Sequence, residues 1–324
     1  MTHIAVVSGG PSPEAEVSRS GAPAVARALR NTGFQVLELE LDGRLPAALL
    51  DGRVDAVFPV VHGAVGEDGC LQGLLEVLDM PYVGSGVLAS ALAMNKPQAK
   101  LALRAAGLPL AKEATFVRGE DVASRAAAVR AAVGRELVVK PASGGSAIGV
   151  VRVAADEPDA ALVTAVERVW KDDPEALVET TIHGDELTCS VLEEDERGAR
   201  ALPVTLIKPK ADFYDFTSKY RPGESEHLCP APLSPDVARR VADAAVRAHT
   251  ALGCRDLSRV DFLLPADGAF VVLEVNTLPG MTATSLFPEA AKASGIEFES
   301  LCSALVRRAL ARPRRQAPLV RAMP

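Results

Sequence analysis

The sequence predicts a mixed α/β and α+β protein built in three blocks. Three observations predict it: apolar runs of strand length alternate with stretches of helical period, two hairpin-like segments carry the unusual chemistry, and 324 residues are enough for about two or three domains. The first block reads HIAVVSGG as a strand, a helix from about Val17 to Arg30, and GFQVLELEL and VDAVFPVVHG as further strands. This is the pattern of an open, mostly parallel sheet, and the loops SGGPSPEAEVS and VHGAVGEDG fall at the carboxyl ends of strands, where such sheets bind ligands. One helical stretch, GVLASALAMNKPQAKLALRAAG, leads away from it and is stopped by Gly107 and Pro109. The first boundary falls near residue 93. The second block holds the strand ATFV, a helix rich in alanine and arginine, a glycine-rich loop, and a helix ending near Trp170. The third starts at the strand LVET, with the boundary near residue 184, and ends with a helix before Pro313; residues 313–324 form a basic tail expected to be disordered.

Composition narrows the function classes. With 48% apolar and 24% charged residues the chain is ordinary globular material, and it lacks both a membrane span and a leader-like amino terminus, so a cytoplasmic location is expected. A net charge of -7, 4% aromatics and the absence of a basic stripe argue against a nucleic-acid partner. The five cysteines, Cys70, Cys189, Cys229, Cys254 and Cys302, show neither CxxC nor Cys/His spacing and read as reduced, mostly buried thiols.

The loop in VVKPASGGSAIGV is not a P-loop, because Lys140 precedes Gly144, Gly145 and Gly149 instead of following them, and AIGVVRVA reads as a second strand. A glycine-rich hairpin of this kind offers backbone N–H groups, with hydroxyls from Ser143 and Ser146, to an anion that Lys140 also faces. Taken alone, it suits a structural turn as well as a nucleotide lid. The stronger signal is SRVDFLLPADGAFVVLEVNTLPGM, in which two alternating strands flank Asp267-Gly268, the pair favoured in a type I′ turn. That turn would oppose Asp261 to Glu274 and Arg259 to Asn276. Two carboxylates and a carboxamide on one sheet face suit Mg²⁺, and facing like charges call for a counter-ion; the alternative is a pair of solvated carboxylates on an exposed face.

The two hairpins together resemble the ATP-grasp superfamily, and within it the D-alanine–D-alanine ligase family. GGPSPEAEVS, VHGAVGEDG, YVGSGVLASALAMNK, VVKPASGGSAIGV, FYDFTSKY, SRVDF and LEVNTLPGMTATSL follow in that family's order along nearly the whole chain. The resemblance implies an amino-terminal substrate-binding domain over residues 1–93, and ATP held between lobes at 94–183 and 184–312, with a loop at 208–228 over the site. It implies ATP-dependent joining of two D-alanine molecules through an acyl phosphate for peptidoglycan synthesis, by a cytoplasmic homodimer. Lys96 and Lys140 match the lysines that hold phosphates, with Gly144, Gly145 and Ser146 in the lid. Glu179 and Glu186 match nucleoside-binding acids, and Asp261, Glu274 and Asn276 match ligands of Mg²⁺, with Mn²⁺ as the alternative ion. Arg259 matches the arginine at the transferred phosphoryl group. Glu14 matches the carboxylate that holds the first D-alanine's ammonium, His62 lies beside the substrates, and Gly280 and Ser285 match the site of the second D-alanine's carboxylate. Ser146, Lys219 and Tyr220 complete a lid network with Glu14.

Taken singly, Lys96 also reads as a solvated helix end, Glu179 and Glu186 as surface acids, His62 as a structural histidine and Tyr220 as packing. The chain departs from the family at Ala147, where a second lid serine is common, and at Ala15, where a basic residue often stands. Two other functions stay open at this point: the same fold with another acceptor, such as D-lactate or another D-amino acid, and a non-catalytic nucleotide-binding regulator.

Overall fold

The computed structural model describes residues 1–194, 198–209, 225–282 and 285–313. The first sheet contains β1 (His3–Ser8), β2 (Gln35–Glu40) and β3 (Ala56–Pro59), all parallel in the order β2-β1-β3, and Val57 bridges in parallel to Tyr82 beyond its edge. Strand β1 reads as an unbroken apolar run because both of its faces are covered. Ile4 and Val6 pack with α1 (Ala15–Asn31) and the last helix, Phe298–Ala311. Ala5 and Val7 pack with α2 (Leu45–Asp51) and α3 (Cys70–Val77) on the other face. The amino terminus of α1 and the loop after β3 therefore share the carboxyl end of the sheet.

The stretch expected as one helix is two, α4 (Val87–Met94) and α5 (Lys96–Ala105). Asn95 has extended backbone, and its side chain accepts a hydrogen bond from Gln98 N, so it ends one helix and caps the next, with Pro97 in the first turn. The break puts Lys96 at a helix start, where its N–H donates to Ala142 O at 2.8 Å. Helix α5 buries Ala99 and Leu103 against the third sheet.

The second sheet is antiparallel, β4 (Glu113–Val117), β7 (Glu175–Thr180), β5 (Leu137–Pro141) and β6 (Val151–Val153) in that spatial order. Its core face, including Phe116, Leu137 and Val178, packs on α6 (Val122–Val133) and α7 (Asp159–Val169). The third sheet runs β11 (Ser225–Leu228), β10 (Thr205–Pro209), β8 (Asp185–Glu194), β12 (Leu257–Leu264), β13 (Val271–Asn276), with β9 (Gly198–Ala201) also paired to β8. It is backed by α8 (Pro235–Ala251), whose Val241, Ala245 and Ala248 meet Cys189, Val260 and Phe262. The last helices among the described residues are α9 (Leu286–Ala293) and α10 (Phe298–Ala311). Three cysteines are buried, Cys229 is half-buried and Cys70 exposed, all as free thiols. Among the described residues no helix is long and apolar enough to cross a membrane.

The β12/β13 turn corrects one expectation while keeping its consequence. Of the Asp267-Gly268 pair only Gly268 has a positive φ, +78°, whereas a type I′ turn needs it at both positions. The turn is Pro265 to Gly268, closed by Gly268 N donating to Pro265 O at 2.9 Å. It pairs Phe262 with Val272, and a bulge at Leu273 then shifts the register, so that Asp261 still opposes Glu274 and Arg259 still opposes Asn276.

Candidate active site

A cavity of about 1050 Å³ is lined by residues of the second and third sheets, the start of α5, and the loops after β1 and β3. Glu14, His62, Lys96, Lys140, Gly144, Gly145, Ser146, Glu179, Glu186, Arg259, Asp261, Glu274, Asn276, Gly280 and Ser285 all reach it. Lys219 and Tyr220 lie outside the described residues. The structure thus brings Glu14 and the others named with it to one cavity, while Ser143 and Gly149 of the glycine-rich loop do not line it.

One wall is the β12/β13 hairpin. The Arg259 guanidinium grips Asp261 with two bonds, Nε to Oδ1 at 2.9 Å and Nη2 to Oδ2 at 2.8 Å. Asn276 Nδ2 donates to Asp261 Oδ2 at 3.1 Å, and Thr188 Oγ1 of neighbouring β8 donates to Oδ1 at 2.6 Å. These bonds fix the carboxylate before any ligand arrives. Among the described residues no three His, Cys, Asp or Glu side chains gather as a metal cluster. Asp261, Glu274 and Asn276 nonetheless fit a hard cation, because two carboxylates and a carboxamide at one cavity wall leave the rest of an octahedral shell to water and phosphate.

The facing wall belongs to β5, β7 and α5. Lys140, next to last in β5, forms an ion pair with Glu179 of β7. Burial alone would lower the Lys140 pKa, but Glu179 outweighs it and the pKa is raised; Glu179 in turn is lowered despite burial by Lys140 and Lys100. Lys96 donates to Gly144 O at 2.6 Å, tying the helix start to the glycine loop. Its ammonium is pushed down to about 8, by burial first, with Lys140 adding repulsion against the pull of Glu274 and Glu179. Two cations and the glycine loop thus line one stretch of wall, suited to a polyphosphate. Val138 from this side and Leu187, Leu263 and Leu273 from the third sheet supply an apolar slot beside it, into which Glu186 also opens.

At the other end Glu14 precedes α1, 6% exposed, and Ser146 of the lid donates to its carboxylate. Ser12 Oγ accepts from Glu14 N at 3.1 Å and donates to His62 O at 2.6 Å, stitching the loops after β1 and β3 together. Between them Gly63, at φ +73°, has no room for a Cβ, which would stand 2.9 Å from Ser12 Cβ and 3.1 Å from Glu14 Oε2. Burial lowers the His62 pKa, against the pull of Glu14. Burial and the Glu14 charge push Glu67 up to about 8, so it holds a proton at neutral pH while Gly63 N donates to it at 2.6 Å. Near Arg259 the chain after β13 turns through Gly280, where a Cβ would meet Ser285 Oγ at 2.8 Å. Ser285 itself accepts from Thr282 N at 3.0 Å at the start of α9.

Sequence reasoning missed three residues here. Glu67 was in plain view inside VHGAVGEDG, but its buried, protonated state depends on a fold partner, Glu14. Lys100 sits one helical turn after Lys96, a spacing that places both on one face, and it reaches Glu113 at 2.6 Å as well as Glu179. Thr188 had no local signal, because its tie to Asp261 crosses between strands 73 residues apart.

Comparison with known proteins gives a consistent family. The chain matches the model of the D-ala D-ala ligase C-terminus over residues 102–307 and that of the D-ala D-ala ligase N-terminus over residues 45–85. It is 45% identical to the D-alanine–D-alanine ligase of Geotalea uraniireducens, with 92% of each chain covered. The structure of the Bacillus anthracis D-alanine–D-alanine ligase superposes with a TM-score of 0.83 at 33% identity, covering 96% of this chain and 98% of the other. A second structure of that enzyme, complexed with ATP, gives 0.80. The VanG D-Ala:D-Ser ligase of Enterococcus faecalis gives 0.82 at 32% identity, covering 95% of this chain and 99% of that one.

Proposed function

The chain belongs to the D-alanine–D-alanine ligase family, and on that premise we propose how its residues divide the work. The enzyme uses ATP to join two D-alanine molecules into the dipeptide required for peptidoglycan precursors. The observation that carries the division of labour is the cavity in which Lys96 and Lys140 face the wall of Arg259, Asp261, Glu274 and Asn276, with Glu14 at its far end.

A carboxylate is a poor electrophile and must be activated. In this reading the adenosine lies in the apolar slot against Glu179 and Glu186, and Lys96 and Lys140 hold the phosphates under the Gly144-Gly145-Ser146 loop. Glu14 takes the ammonium of the first D-alanine, leaving its carboxylate beside Arg259. His62 is neutral and Glu67 protonated at neutral pH, so neither brings a charge that competes with Glu14 for that ammonium or with Arg259 for the carboxylate. A carboxylate oxygen attacks the γ-phosphorus, ADP leaves, and an acyl phosphate forms. The neutral amine of the second D-alanine, its carboxylate held at Gly280 and Ser285, attacks the carbonyl carbon. Arg259 stabilises the tetrahedral oxyanion, and phosphate leaves as the peptide bond closes and the amine's surplus proton is released to phosphate or solvent. Asp261, Glu274 and Asn276 would hold Mg²⁺, or Mn²⁺ in its place, which supplies charge neutralisation on the phosphates. Because water destroys an acyl phosphate, the lid must exclude it, and Ser146 on Glu14 is the contact that brings the lid onto the amino-acid end. Lys219 and Tyr220 are assigned to the same closure.

The test is ADP release and dipeptide formation by purified protein with Mg-ATP. Turnover must depend on D-alanine; ATP consumption without dipeptide sinks the reading. A second reading keeps the chemistry and changes the acceptor, and the likeness to a D-Ala:D-Ser ligase motivates it. Mass spectrometry of products with D-alanine, D-serine and D-lactate supplied together decides between them. The family reading also carries a cytoplasmic homodimer, which light scattering and cell fractionation check.

A further inference from the structure

Behind the cavity wall lies a line of alternating charges, of which the mechanism above leaves Lys100, Glu113 and Arg104 unused. Lys100 of α5 is 1% exposed, among the largest fully buried side chains. Its ammonium pairs with Glu113 Oε2 at 2.6 Å and with Glu179, and it donates to Ala111 O at 3.5 Å. Glu179, 4% exposed, also pairs with Lys140. Glu113 and Glu179 are register partners on β4 and β7, so two like charges face each other across the sheet with Lys100 between them. Arg104 covers the outer oxygen of Glu113 at 2.6 Å. A buried ammonium that never reaches the cavity is costly unless something needs its charge.

We propose that Lys100 is a positioning residue that frees Lys140 for ATP. The inference rests on the assignment of Lys140 to the phosphates. Without nucleotide, Lys140 and Lys100 both neutralise Glu179. When polyphosphate draws Lys140 away, Glu179 would be left as an unpaired buried carboxylate, a state that costs several-fold to many-fold in equilibrium. Lys100 stays behind and keeps Glu179 ionised, so the transfer of Lys140 proceeds without a proton change. The other charged groups around Glu179 do not replace it. Lys96 is committed to Gly144 and the phosphate wall, Glu113 adds negative charge, and Glu274 lies on the opposite wall.

The proposal predicts a specific signature for Lys100→Met and Lys100→Gln. Nucleotide should bind about tenfold or more weakly, with KM for D-alanine changed less than about twofold, because the D-alanine end is built from other elements. Binding should also take up close to one extra proton relative to wild type, since Glu179 protonates when Lys140 leaves it. Calorimetric titration with a non-hydrolysable ATP analogue and Mg²⁺ at pH 7, in two buffers of different ionisation enthalpy, reads both quantities. The difference between variant and wild type removes the contributions of Lys96 and of the nucleotide itself. Lys100→Arg, which restores a buried cation, should bind without the extra proton. Wild-type affinity in Lys100→Gln, or weaker binding with no extra proton, overturns the proposal. A failure of the phosphate assignment shows separately, as unchanged nucleotide affinity in Lys140→Met. Should Lys100→Met not fold, Lys100→Gln keeps donors for both carboxylates and is read in the same way.

Discussion

The two hairpins that face the cavity are opposites in construction. The β12/β13 hairpin is paired from Leu263 back to Arg259, its strand β12 is paired again from Leu257 to Leu264 to β8, and it has Phe262 and Phe270 packed edge to face at 5.6 Å behind it. The β5/β6 hairpin is paired within itself only from Leu137 to Val139, although β5 is also paired to β7, and its loop carries Ser146 and Ala147 in succession at φ +54° and +55°. Such backbone costs an L residue about 1–2 kcal/mol each. The first hairpin fixes charges in advance; the loop of the second is tied down at separate points, among them Lys96 on Gly144, Asp173 on Ser143 N and Ser146 on Glu14. A wall that must hold charge is built for rigidity, while a cover that must open for ATP and product is built from strained loop.

The comparison breaks most sharply at the rigid side. Asp261→Ala removes the acceptor of Arg259, Asn276 and Thr188 together, and Glu274→Ala removes the opposed carboxylate. Each should lower kcat by about 10³ or more, measured as D-alanine-dependent ADP release, with thermal unfolding to confirm a folded protein. Turnover within tenfold of wild type in either variant would show that the hairpin wall is not the metal and phosphoryl side.

A smaller effect sits where the two hairpins meet the same phosphates. Lys96 has its pKa depressed from 10.5 to about 8, so in the free enzyme its charge is present below about pH 8 and lost above it. ATP binding should therefore weaken as pH rises, with KM for ATP about tenfold higher at pH 9 than at pH 7 if only the ammonium form binds. Lys96→Arg keeps its charge throughout and should flatten that limb. A wild-type profile flat to pH 9.5 would remove Lys96 from phosphate binding.

The same contrast explains what was legible in the sequence. The face of the rigid hairpin was readable because Arg259, Asp261, Glu274 and Asn276 are close along the chain and period-2 alternation puts them together. Even a wrong turn type left their pairing intact, since the Leu273 bulge restored the register beyond it. The helix break at Asn95 was also written locally, as Asn followed two residues later by Pro, but the surrounding helical pattern masked it. Long-range pairs had no such signal. Glu14 meets Ser146 across 132 residues and Lys100 meets Glu179 across 79. The first came only through resemblance to a family, and the second did not come at all. Charge burial depends on tertiary neighbours, so the protonated Glu67 was likewise beyond the reach of pattern.

On the lid side, Ser146→Ala removes the contact with Glu14 but leaves the loop backbone. We expect kcat/KM for D-alanine to fall about tenfold, the lower end of what one hydrogen bond to a charged partner is worth, with KM for ATP nearly unchanged. Equal losses for both substrates would mean that the lid acts on the whole cavity and not on the amino-acid end.

The smallest effect concerns Ala147, where a second serine is common in the family. If lid donors to phosphate are mainly backbone N–H groups, a hydroxyl added by Ala147→Ser changes KM for ATP by less than about threefold. The strain of the left-handed backbone is separable from this, because Ala147→Gly relieves about 1–2 kcal/mol of it and gives back about 0.5–1 kcal/mol in chain entropy. The net is a melting temperature raised by about 1–2 °C, read by calorimetry without ligand. The two substitutions together divide the lid's behaviour into side-chain chemistry and backbone shape. A tenfold gain in ATP affinity from the serine would show that this lid depends on its side chains as the opposite hairpin does, and the contrast between a rigid charged wall and a strained backbone cover would no longer hold.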